Sequence, residues 1–410
     1  MSTRVVYKGD YLKDVRIPLP ASKSISNRAL AIRLIGGFDS RIDNISDSDD
    51  TLDMLRLLTD ANSTLHLGNG GTTSRFLLAA YCLLGRDVVL DASDTLRSRP
   101  ISGLVDALNA LGADITYVEE EGRFPIRTGG GRMYGGNLVV SADTSSQFIS
   151  ALMMIGPYLD GGLVLEFSGQ VLSYPYIQMT AAVMKHYGAA IEISPYGVAV
   201  KECVYQPHEL SIEADWSSAS YWFQAAAMQP GSSFFLEGLR EDSLQGDKVI
   251  MDLMRKLGVS SKFETNGLMI IGTGDLQSDY FSEDFTACPD LAPAVAVACA
   301  GLNITADLTG LKNLRLKECD RALALQRGLY DLGVKTDFCG GSKFKVYPGR
   351  GPSPTDRIIK TFDDHRIIMA FSMMSLKTGQ VHLDHINGVD KSYPGFFSDL
   401  FGSGFEIRDF

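Results

Sequence analysis

Along the chain one pattern of polar and apolar positions returns six times. A polar or glycine-rich stretch leads into a run that is apolar at helical spacing. The six stretches are "PASKSISNRALAI" (20–32), "GNGGTTSRFLLAA" (68–80), "SADTSSQFISALMM" (141–154), "EADWSSASYWFQAAAM" (213–228), "CPDLAPAVAVACA" (288–300) and "DDHRIIMAFSMMSL" (363–376). Most follow a β-like run such as "NLVV", "LSI" or "IIKTF". The pattern predicts a strand and then a helix at each place.

The spacing is regular. Asn69, Asp143, Asp215, Asp290 and Asp364 mark successive stretches at intervals of 74, 72, 75 and 74 residues. Gly112, Gly188, Gly258 and Gly333 follow the first four markers by 43, 45, 43 and 43 residues, each where an apolar-periodic segment stops. Glycine in that place reads as a helix C-terminus. After each glycine come 27 to 32 residues of β-type sequence with turns, room for two or three short strands. One unit is therefore strand–helix–strand–helix–strand–strand, and six such α/β units make two domains of three. The last marker leaves 46 residues, too few for its closing strands, while the strand-like residues 1–19 belong to no unit. They complete the last one. The expected domains are residues 1–19 with 214–410, and residues 20–213.

The first unit breaks the rule. Only 47 residues separate Ser22 from Asn69, and "ANSTLHL" (61–67) alone follows the helix "TLDMLRLLTD". A paired hairpin needs about ten residues or more. The first unit is therefore shortened, with its outer strand pair lost or reduced to one strand at 64–67.

Composition narrows the class. The chain has 410 residues, 45% hydrophobic and 21% charged, as ordinary soluble enzymes do. The longest nearly uncharged apolar run, near 291–306, is too short to span a bilayer, and "MSTRVVYKGDY" has no apolar signal core. The six cysteines show no CxxC pair and read as reduced, mostly core thiols of a cytoplasmic protein. A net charge of −11 disfavours nucleic-acid binding.

The unit starts nevertheless hold cations where a helix N-terminus favours negative partners. Lys23, Ser24 and Arg28 open the first. Asn69, Gly71, Thr72 and Arg75 open the second, Ser145, Ser146 and Gln147 the third, and Asp364, His365 and Arg366 the sixth. Arg97, Arg99, Lys317, Arg321 and Lys391 add to them. Singly, each reads as a solvated cation. Recurring at helix starts, they point to a cleft for two small, multiply anionic substrates. Asp290 and Glu318 are the candidate acid–base pair, against a helix cap and a surface ion pair. His382 and His385 lie on a strand-like run, where surface placement is favoured over metal binding. His365 is the histidine to follow.

Together "LPASKSISNRAL", "LGNGGTTSRF", "RSRPI", "DTSSQFISALMM", "SYPYI", "CPDLAPAVAV", "NLRLKECDR", "DDHRIIMAFS" and "DKSYPGFF" resemble the 5-enolpyruvylshikimate-3-phosphate synthase family over nearly the whole chain. The resemblance implies an inside-out α/β barrel architecture, helices inside and sheets outside, with the active site in the interdomain cleft. It implies transfer of the enolpyruvyl group of phosphoenolpyruvate to the 5-hydroxyl of shikimate 3-phosphate through a tetrahedral adduct, in aromatic amino acid biosynthesis. It implies no cofactor or metal, no nucleic-acid or membrane partner, a monomer, and inhibition by glyphosate. Shikimate 3-phosphate would meet Lys23, Ser24, Arg28, Ser145, Ser146, Gln147, Ser173, Asp290, Asn313 and Lys317. Phosphoenolpyruvate would meet Lys23, Gly71, Arg99, Gln147, Arg321, Arg366 and Lys391, with Asn69 beside it. Asp290 would be the base on the hydroxyl, with Glu318 and Lys23 handling protons. Phe76 stands where the family has Pro.

The nearest rival is UDP-N-acetylglucosamine enolpyruvyl transferase, which carries a reactive Cys before its Arg-Pro segment. Here "DASDTLRSRPI" (91–101) has none. A non-catalytic phospholigand-binding protein is the other alternative, and the intact Asp290, Glu318 and Lys23 argue against it.

Overall fold

All six polar-to-apolar junctions start helices in the computed structural model, which describes residues 3–9, 12–143 and 145–409. Thr144 of the third junction lies outside the described residues. The helices are Lys23–Gly36, Gly71–Leu83, Ser146–Ile155, Trp216–Met228, Ala292–Gly301 (after a 3-10 turn at Pro289–Leu291) and His365–Ser372. Side chains cap three of them. Ser145 accepts from Gln147 N at 3.3 Å, Asp215 from Ser218 N at 2.7 Å and Asp364 from Arg366 N at 2.9 Å. The four recurring glycines all have positive φ, from 79° to 97°, a conformation that costs a Cβ-bearing residue energy.

Among the described residues there are five four-stranded sheets and one of two strands. The four-stranded sheets share one order. In the second unit, Thr64–His66 pairs in parallel with Val88–Asp91, across the crossover that holds helix Gly71–Leu83. Ile126–Gly129 and Asp114–Tyr117 then add in antiparallel. Strand Arg4–Tyr7 lies between Gln380–Leu383 and Glu406–Asp409 in the sixth unit's sheet. Val15–Ile17 opens the fourth unit's sheet by pairing in parallel with Ser233–Glu237. The first unit's sheet is only Leu210–Ser211 against Ile42–Asp43. Between helix Asp49–Thr59 and Asn69 there is one strand, Thr64–His66, and no hairpin, so the first unit is shortened as its length predicts.

The chain divides into two compact units, Met1–Ala21 with Glu213–Phe410, and Ser22–Ile212. In each, the unit-opening helices are the inner layer. All ten residues of Ala292–Gly301 are buried, as are twelve of Gly71–Leu83. A helix apolar all round must be covered all round, and the sheets cover these from outside. Helix Arg321–Asp331 packs on His365–Ser372 closely enough that a methyl group at Gly328 would run into the Phe371 ring. We expect Gly328→Ala to lower the urea midpoint. Overpacking costs about 1–3 kcal/mol, more than the roughly 1 kcal/mol of helix propensity gained.

Two expectations need correction. His382 is buried at 6% exposure rather than at the surface; three consecutive residues of its strand, Val381–Leu383, are all buried, so strand alternation does not carry it to solvent. Only three of the six cysteines (82, 288 and 299) are buried, while Cys339 is exposed. No described helix is long and apolar enough to cross a membrane.

Candidate active site

The site residues fall into two sets, one in each compact unit. In residues 22–212, helix Lys23–Gly36 places Lys23 in its first turn, where Nζ pairs with Asp50 Oδ2 at 2.8 Å. Asp50, buried in the first turn of Asp49–Thr59, was not among the residues expected from the sequence. Only the spacing of a charged pair 27 residues apart could have suggested it. Asn27 ties the neighbouring helices together: its Nδ2 donates to Thr72 Oγ1 at 2.9 Å and its Oδ1 accepts from Thr51 Oγ1 at 2.8 Å.

Around Gly71 two guanidinium heads and an amide converge. A Cβ built there would lie 3.2 Å from Arg99 Nη1, 3.2 Å from Gln147 Oε1 and 3.4 Å from Arg75 Nη1. Gln147 Oε1 is buried with no hydrogen-bond partner among the described residues. Arg75, noticed in the sequence but assigned no ligand, belongs to this group by position. Gly71→Ala would crowd all three heads by a few tenths of an ångström. If Gly71 lines the phosphoenolpyruvate site, as the family resemblance implies, this change is expected to raise KM for phosphoenolpyruvate several-fold with a smaller effect on kcat, measured by initial rates.

Arg28 is 1% exposed. Its Nε donates to Thr180 Oγ1 at 2.7 Å, Nη1 to the Ser24 carbonyl at 2.8 Å, and Nη2 to Ser150 Oγ and the Tyr176 carbonyl at 3.3 Å each. Its guanidinium lies 5.3 Å from the Phe76 ring centre and 5.8 Å from that of Tyr176, so the aromatic at 76 packs on the cation. Burial lowers the Arg28 pKa to about 10. Ser145 and Ser146 open their helix, with Ser145 as its cap. Ser173 is buried and holds φ 56°, ψ 40° just before helix Tyr174–His186. Asn69 Oδ1 accepts from Ser93 Oγ. Arg97 is committed elsewhere, to Asp91 at 2.7 Å and Glu119 at 3.0 Å.

In residues 213–410 the set is denser. Asp290 meets Arg321 Nη1 at 3.0 Å, Arg366 Nη2 at 3.1 Å and Lys317 Nζ at 3.3 Å. It is therefore no mere helix cap. Burial pushes the Asp290 carboxyl up, but the charges of Arg366, Lys317 and Arg321 outweigh it and hold the group well below the usual carboxylate range. Arg321, 1% exposed, also donates to Asp364 Oδ2 at 2.8 Å and Glu318 Oε2 at 2.5 Å. Burial opposes its charge, yet Asp364, Glu318 and Asp290 raise its pKa. Lys391 Nζ lies 3.0 Å from Glu318 Oε1. Asp364 shares its carboxylate between the helix cap and Arg321, and so sets both. Asn313 Oδ1 is buried without a hydrogen-bond partner among the described residues. His365, at the start of helix His365–Ser372, is buried at 2% exposure. No group of three or more His, Cys, Asp or Glu suited to a metal ion occurs among the described residues.

The sequence model described as EPSP synthase (3-phosphoshikimate 1-carboxyvinyltransferase) matches residues 56–400. The 3-phosphoshikimate 1-carboxyvinyltransferase of Bacteroides fragilis is 38% identical over 393 residues, 96% of each chain. That of Photobacterium profundum is 32% identical over 416 aligned residues, covering 94% of this chain and 95% of its own. The EPSP synthase structure from Acinetobacter baumannii superposes with a TM-score of 0.78 at 20% identity, covering all of both chains, which speaks to the fold. The chain belongs to the EPSP synthase (3-phosphoshikimate 1-carboxyvinyltransferase) family.

Proposed function

We propose that the chain transfers the enolpyruvyl group of phosphoenolpyruvate to the 5-hydroxyl of shikimate 3-phosphate and releases phosphate, a step of the shikimate route to aromatic amino acids. The two residue sets act on the same pair of substrates. The hydroxyl oxygen adds to C2 of phosphoenolpyruvate while C3 takes a proton. A proton then leaves C3 and phosphate leaves C2.

The observation that carries this reading is Asp290 surrounded by Arg321, Arg366 and Lys317. Held by three cations, Asp290 is a weak base. Phosphoenolpyruvate and shikimate 3-phosphate bring phosphate and carboxylate oxygens that compete for those same cations. As the guanidinium groups turn to the substrates, the Asp290 carboxylate regains basicity where it is needed, at the acceptor hydroxyl. The Glu318–Lys391 pair, 3.0 Å apart, and Lys23 beside Asp50 supply groups that can hand a proton to C3 and take it back. Asn313 Oδ1 and Gln147 Oε1 suit donors such as sugar-like hydroxyls, because each is an acceptor with no partner among the described residues. The chain works as a cytoplasmic monomer on small molecules alone.

Phosphate release from phosphoenolpyruvate, with shikimate 3-phosphate and UDP-N-acetylglucosamine as rival acceptors, tests the reading. Release with shikimate 3-phosphate only is expected. Release with the nucleotide sugar, or binding of both substrates without release, would overturn it.

A further inference from the structure

Asp247 takes no part in the scheme above, yet it is buried at 4% exposure next to it. It sits in the short turn Gly246–Val249, ahead of helix Ile250–Lys256. Its Oδ2 accepts the hydroxyl hydrogen of Ser217, the second residue of helix Trp216–Met228. Arg366 Nη2 reaches the same Ser217 oxygen at 3.4 Å. The same guanidinium also reaches Asp290, at 3.1 Å to its carboxylate and 3.3 Å to its carbonyl.

We propose that Asp247 is a positioning residue that orients Arg366 toward phosphoenolpyruvate through the Ser217 hydroxyl. The argument is one of proton count. A serine hydroxyl has a single hydrogen. Committed to Asp247, it leaves only lone pairs facing Arg366, so the guanidinium meets an acceptor. Without Asp247 the hydroxyl is free to rotate its hydrogen toward Arg366, where it repels.

The relay matters because the Asp290 anchor is shared. Asp290 also serves Arg321 and Lys317 and, on the reading proposed above, takes a proton during turnover. Its grip on Arg366 weakens at that moment. Asp247 and Ser217 hold Arg366 from residues that do not react. Burial raises the Asp247 carboxyl to about 6 against the pull of Arg366, with Asp290 and Asp215 adding to the rise. It is therefore mostly ionised at the pH of the assay, near 7.5, and available as the acceptor.

The inference rests on the proposed function, and the experiment separates the two. Initial rates of phosphate release are measured against phosphoenolpyruvate at saturating shikimate 3-phosphate, for the unmodified chain, Asp247→Ala, Ser217→Ala and the double variant. Ser217→Thr, which keeps the hydroxyl, is the rescue control, and circular dichroism checks folding. No release by the unmodified chain would sink the functional reading itself. With that activity present, each single variant is expected to raise KM for phosphoenolpyruvate about five- to tenfold with kcat changed less than threefold. The double variant should match the worse single variant, and Ser217→Thr should stay within twofold of the unmodified chain. Unchanged KM in Asp247→Ala overturns the proposal. So do single-variant effects that multiply in the double variant, since they would mean that Asp247 does not act through Ser217. If Asp247→Ala fails to fold, Ser217→Ala against Ser217→Thr decides: equal KM values for the two overturn the relay.

Discussion

Asp290→Ala is expected to cut kcat by about a hundredfold or more, the size of effect that loss of a positioned general base produces. KM for phosphoenolpyruvate should not rise. The alanine removes a carboxylate that competes with the substrate for Arg321, Arg366 and Lys317, which lie 3.0 to 3.3 Å from it, so anion binding holds or tightens while turnover collapses. That split separates a base from a structural counter-ion. Asp290→Asn refines the test, because the amide keeps the shape and a hydrogen-bonding oxygen but accepts no proton. A kcat near normal in either variant would remove Asp290 from the role of base. A large rise in KM with kcat preserved would make it a binding residue only.

Arg321→Met should lose both fold stability and activity. The guanidinium is 1% exposed and bonds three carboxylates, Asp364 at 2.8 Å, Asp290 at 3.0 Å and Glu318 at 2.5 Å. Breaking a buried ion cluster by removing one partner costs about 3–5 kcal/mol, because the carboxylates left behind lose the cation they share. The urea midpoint of the chain should fall accordingly. Phosphate release should be abolished even under conditions where the variant is folded, since Asp364 then caps helix His365–Ser372 without Arg321 and Glu318 loses one of its cations. Arg321→Lys restores the charge but not the three-way fork. It should recover part of the stability and little of the rate. A variant as stable as the unmodified chain would show that the cluster is solvated in solution.

The expectations that held rest on local backbone physics. The glycines at 112, 188, 258 and 333 stop their segments because each occupies a positive-φ position. Asp215 and Asp364 mark helix starts because they are caps. The shortened first unit follows from arithmetic: the few residues before Asn69 hold one strand, Thr64–His66, and cannot hold a hairpin. These features lie within a few residues of their causes, so a reading of period and spacing reaches them.

What the sequence by itself determined is thus the six-unit α/β plan, the helix starts at which the cations gather, and, through its motifs, the family. What only the tertiary structure decided is how the charges are paired. Lys23 finds Asp50 and Arg366 finds Asp290 across 27 and 76 residues. Arg97 is drawn away to Asp91 and Glu119, Arg28 is walled in by neutral oxygens and two rings, and Asp247 reaches Arg366 only through Ser217. The period of a segment reports the rotation of its own backbone. A Coulomb or hydrogen-bond partner is chosen by distance in space, and that distance exists only once the helices and sheets have packed.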